Sequence, residues 1–255
     1  MPKHTKEFLD KTRLEKTDDR YTLSGMIRDE IYNLVHLERI KFIYTAWDLT
    51  VKPAQSIHMV LSGYRKYLYP YFSYLLLIGT ITIFLTVRYK FFVSGYDIGD
   101  QHTLLEDILN FMGFHREFRL AFFEYAEQFA TLVNIVALPV FSLVSWMFFP
   151  SCKFNIGEHF ILNVYICAQQ LLFLWFTIPF LEFTTIPKDI VIGVYTALTV
   201  MYNVWVYATL FAGKLVWNIF KSILAVMVAF ILQTPVNYGV FYLLRPFIKW
   251  LDAIF

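Results

Sequence analysis

An all-α, polytopic membrane protein is the fold class this sequence predicts: a five-helix transmembrane bundle with amphipathic interfacial helices. Three observations carry that reading. Of the 255 residues, 58% are apolar and 20% aromatic, against 16% charged. Soluble domains run at about 45–50% apolar and about 25% charged, and a chain of this length cannot bury the excess. The charges are also unevenly spread. None falls in 67–87, 128–152, 159–181, 190–213 or 222–244. Each gap matches the run of about 20 residues that spans a hydrocarbon core of about 30 Å. Finally, these segments lack the charged outer face of buried helices in a soluble bundle. The composition excludes disorder, a collagen-like chain and a nucleic-acid-binding tail. The net charge of +2 selects no partner.

The elements follow in order. Residues 1–69 form a polar and amphipathic N-terminal region. Lys3 to Arg20 is rich in charge and has no apolar h-region, so insertion is expected to start with the first span. Ile27, Ile31, Leu34 and Val35 recur at helical spacing, Pro53 interrupts, and a short basic helix leads to Pro70. Both helices suit the plane of the membrane surface. The spans are expected at 70–90, 129–149, 159–181, 190–212 and 222–244, with 245–255 as a short tail. Between the first two spans, Thr103 and Glu106 form a capping-box pattern and open an interfacial helix over about 103–125. Lys and Arg are more numerous on the N-terminal side, which favours a cytoplasmic N-terminus.

Several polar side chains fall within the spans. His159, Asn163, Cys167, Gln170 and Thr177 share one face of the third. Thr196, Thr199, Asn203 and Tyr207 do so on the fourth. The second carries Asn134, Ser142 and Ser145, and the fifth carries Gln233 and Asn237 around Pro235. Such groups are expected to face the bundle interior, where they bond helices together or line a pathway. Pro235 either kinks the fifth helix or breaks it to free backbone carbonyls. Glu158 suits a helix start, whereas His159 beside it suits proton transfer near the surface. Cys152 and Cys167 form no disulfide framework, and no zinc-ligand spacing is present. Phosphate-cradling glycine loops and serine-nucleophile motifs are missing, so no cofactor or metal is expected and an enzyme is disfavoured.

Thr45, Leu49, Pro53, Ile57, Leu61, Gly63, Arg65 and Pro70 occur in that order before the first span. Leu138-Pro139 through Phe149, then Asn155 to His159, form a second anchor. Together they resemble a bacterial family of uncharacterised multi-pass membrane proteins. That family carries P-G-x-x-I…G-x-R-x-x-Y-x-x-P before its first span and N-Y-x-E-H before its third. Here Ala54 replaces the usual glycine, Ile156 an aromatic, and an N-terminal zinc ribbon is missing. The resemblance implies a bacterial inner-membrane location and transfers no activity. It directs attention to Arg65 and Lys66, a basic pair among tyrosines suited to anionic headgroups.

The first functional expectation is a non-enzymatic scaffold, assembly or regulatory component. Its partners would be membrane lipid and proteins docking on the N-terminal region, with no nucleic acid. The alternative is a transporter or channel for a small solute or lipid. A third reading makes Glu158 and His159 the acid and base of a lipid enzyme. A transporter requires one polar cavity reaching Asn163, Gln170, Asn203 and Gln233. A scaffold requires those groups bonded to one another.

Overall fold

The computed structural model describes residues 39–91, 116–150, 154–183 and 188–252. The charge run Lys3 to Arg20, the helical pattern before residue 39, the capping-box pattern at 103–106 and Cys152 lie outside them. Eight helices make up the described chain, and no strand occurs among the described residues. They are α1 (Arg39–Val51), α2 (Pro53–Leu61), α3 (Tyr71–Tyr89), α4 (Arg116–Gln128), α5 (Ala130–Phe148), α6 (Ile156–Phe183), α7 (Lys188–Leu210) and α8 (Leu215–Asp252). Five of them, α3, α5, α6, α7 and α8, are long and apolar enough to cross a membrane. This is the architecture of a multi-pass integral membrane protein.

Burial sets α6 at the centre. Within its spanning window 72% of residues are buried, against 28% for α8. A helix that is apolar all round packs on every side, and α6 meets α3, α5 and α7. Paired side chains give the directions. Tyr74 reaches Gln169 (2.9 Å), and further along both helices Trp175 donates Nε1–H to Thr82 (2.9 Å), so α3 and α6 run parallel. Tyr195 pairs with Gln170 and Tyr207 with Asn163, so α7 runs the other way. Gly79 of α3 lies against Thr131 of α5, where an added Cβ would collide with the Thr131 side chain. Small residues allow such close approach between spans.

The two N-terminal helices sit where α3 begins. Thr45 of α1 accepts the Tyr69 N–H (2.7 Å), and Tyr165 of α6 donates to the Tyr69 carbonyl (2.8 Å). Tyr202 of α7 donates to the Leu49 carbonyl (2.8 Å). Ile43, Trp47 and Val51, four residues apart, form the exposed stripe of α1. Gly63 takes φ +104° in the turn that leads to Arg65, a conformation that glycine adopts without Cβ strain. Of the interfacial helix expected at 103–125, the described part is α4, from Arg116. Its Phe122 packs edge-on against Tyr238 of α8, with ring centroids 4.5 Å apart.

α8 stays helical through Pro235 and continues past 244 to Asp252. Of the two readings of Pro235 the break is therefore not seen, and the helix runs on through the proline.

Candidate functional site

The polar groups of the spans divide into two sets. The first is closed. His159 near the start of α6 pairs Nδ1 with Ser145 Oγ of α5 (2.9 Å). Asn163, one turn on, donates to Ser145 Oγ (3.2 Å) and to the His159 carbonyl (2.8 Å). The Asn163 carbonyl oxygen accepts the hydroxyl of Tyr207. The His159 ring stacks on Phe211, with centroids 5.4 Å apart. All four polar residues are buried, at 0–2% exposure. A hydroxyl beside an imidazole nitrogen is the pairing a serine nucleophile needs. Here both groups are sealed, and neither lines the cavity described below.

Glu158 belongs to the helix start. Asn155 N–H donates to Glu158 Oε2 (2.6 Å), and Glu158 N–H donates to Asn155 Oδ1 (2.8 Å). This reciprocal pair satisfies two backbone donors that a helix N-terminus leaves open. It ties one oxygen of the Glu158 carboxylate to the backbone.

The second set is open. A cavity of about 210 Å³ lies between α5, α6, α7 and α8. Asn163, Gln170, Asn203 and Gln233 all line it, together with Asn134 and Cys167. Its remaining wall is largely apolar, with Leu138, Phe141, Ile166 and Phe230. Thr196 of α7 and Phe230 of α8 are the exposed lining residues. Both lie within spanning windows, so the cavity opens sideways between these helices.

The stripe His159–Asn163–Gln170 thus serves two purposes. His159 and Asn163 bond helices together, while Asn163 and Gln170 also border the cavity. Asn237, one turn from Gln233, does not line it; its side-chain oxygen is buried with no hydrogen-bond partner. Arg65 and Lys66 lie in the turn between α2 and α3, apart from the cavity; both make interactions within the fold. The described residues contain no group of three His, Cys, Asp or Glu placed to hold a metal ion.

Sequence reasoning passed over Gln169. Its side chain accepts from Tyr74 and donates to Thr50 (2.7 Å), tying α6 to α3 and α1. Adjacent glutamines on a helix point about 100° apart, so Gln169 and Gln170 necessarily serve different neighbours. That spacing was the available signal. Comparison with protein-family models, curated proteins and solved structures finds no match for this chain.

Proposed function

We propose that this protein is a membrane-embedded carrier or binding protein that takes a small uncharged molecule into the cavity between α5, α6, α7 and α8. The observation that carries the reading is one cavity bordered by Asn163, Gln170, Asn203 and Gln233. A closed scaffold would pair these amides with one another. Asn163 is bonded across helices to Ser145 and Tyr207, but among the described residues Gln233 has no hydrogen bond and Asn203 bonds only to its own helix. The lining carries no charged side chain, which favours neutral ligands, because an ion would enter without a counter-charge. On the Lys and Arg balance the N-terminus is cytoplasmic; on the resemblance the membrane is a bacterial inner membrane. The N-terminal region and the Arg65–Lys66 pair then meet anionic headgroups and docking proteins.

Cys167 lines the cavity and reports on access to it. In a Cys152→Ser background in vesicles, N-ethylmaleimide should alkylate Cys167 slowly, while a sulfonated maleimide should not. Thr196→Trp, at the mouth, should suppress the reaction. Failure of the folded protein to react with the neutral reagent would reject the reading.

A further inference from the structure

The orientation of the cavity amides selects the ligand. Asn203 donates from Nδ2 to the Thr199 carbonyl (3.0 Å), and Gln170 donates from Nε2 to the same carbonyl (3.2 Å). Asn134 donates from Nδ2 to the Ala130 carbonyl (2.8 Å). A backbone carbonyl only accepts, so each amide must present its nitrogen to it. The oxygen of each amide then faces the other way. Among the described residues none of these three oxygens has a protein partner, and each belongs to a residue that lines the cavity. Three helices therefore supply three side-chain acceptors to one mostly apolar chamber. The mouth at Thr196 and Phe230 opens toward hydrocarbon.

On this geometry, and resting on the cavity reading above, we propose that the ligand is an uncharged amphiphile with a hydroxyl head, drawn sideways from the bilayer. The hydroxyl donates to the oxygens of Asn203, Gln170 or Asn134. The apolar body lies along Phe141, Ile166 and Phe230 and leaves through the mouth. Neutral hydroxyl lipids reach this depth more readily than phospholipids, whose charged heads hold them at the surface. A head that only accepts can take an N–H of Gln233 but leaves the three oxygens without a donor. An anionic head meets the same oxygens and no cation.

Photolabelling the full chain in vesicles tests this with three probes of one chain length: a diazirine-bearing alkanol, its methyl ether and the corresponding carboxylate. The alkanol should label cavity residues of α6 and α8. The ether should label them about tenfold less, the factor expected when one buried hydrogen bond is lost. The carboxylate should label them no more than the ether. Combining Asn203→Leu with Gln170→Leu should weaken alkanol labelling toward the ether level, with Asn134 the one acceptor of the three that remains. Equal labelling by alkanol and ether overturns the proposal and leaves the cavity reading standing, whereas strong labelling by the carboxylate overturns the proposal together with the neutral-ligand part of that reading. Labelling confined to outward residues such as Val194 and Leu243 overturns both. The probe comparison on the unaltered chain decides the matter even if the double variant fails to fold.

Discussion

Asn163 and Asn203 are the same residue type on neighbouring helices, and the fold uses them in opposite ways. Asn163 joins three spans: its amide donates to Ser145 on α5 and accepts from Tyr207 on α7. Asn203 bonds only to Thr199 on its own helix and turns its oxygen to a cavity. The chain thus places one amide where side chains of two other helices bond to it and another whose oxygen pairs with none of the described residues. Burial does not separate them, since Asn163 is 2% and Asn203 1% exposed. What separates them is the neighbouring helix. Polar groups in a span have no water to fall back on, so a closed set holds the bundle together and an open set keeps hydrogen-bonding capacity that the bundle does not use.

Substitution sharpens that contrast. Asn163→Leu should cause the largest loss, about 3 kcal/mol. It strands the Tyr207 hydroxyl and part of the Ser145 valence in a sealed site. Thermal unfolding in detergent, followed by helix circular dichroism, reads it directly. Gly79→Ala should cost about 2 kcal/mol, because the added methyl meets Thr131 and the close α3–α5 approach must widen. Gln169→Leu, which breaks the links to Tyr74 and Thr50, should cost about 1 kcal/mol. Asn203→Leu should stay within about 0.5 kcal/mol of the parent protein, since it removes only a bond within one helix.

The smallest effect lies at the end of α1. A hydrogen bond from Lys52 to Tyr67 is the main cause holding the lysine ammonium above its usual pKa, and the Asp48 carboxylate, 3.6 Å away, adds to it. A raised lysine stabilises the fold while it is protonated. That contribution is complete below the ordinary lysine pKa and fades as pH rises through the folded value. Asp48→Asn should therefore cost only about 0.3 kcal/mol at neutral pH, with the difference shrinking in strong alkali. A larger, pH-independent loss would mean that Asp48 acts through packing.

Much of the fold is legible because lipid imposes a length. The gap in charge at 67–87 became Tyr71–Tyr89, and that at 128–152 became Ala130–Phe148. The same criterion misjudges α8. Charges mark where hydrocarbon ends, but a helix continues past Arg245 at no cost once it reaches water. Within the site, helical spacing put His159, Asn163 and Gln170 on one face. It gave no information about the facing helices. Ser145 and Tyr207 close the ring around Asn163, and nothing in the order of residues announces that Asn203 finds no such pair. Glu158 is legible as a first-turn acid at a helix start, and the structure adds its reciprocal bonds with Asn155, three residues before it.

The contrast between the two asparagines is decided most directly by measuring melting temperature and alkanol photolabelling together on Asn163→Leu and Asn203→Leu. The account predicts a large drop in melting temperature for Asn163→Leu. For Asn203→Leu it predicts an almost unchanged melting temperature and weakened cavity labelling. A large destabilisation by Asn203→Leu, with labelling equal to that of the parent protein, would contradict it.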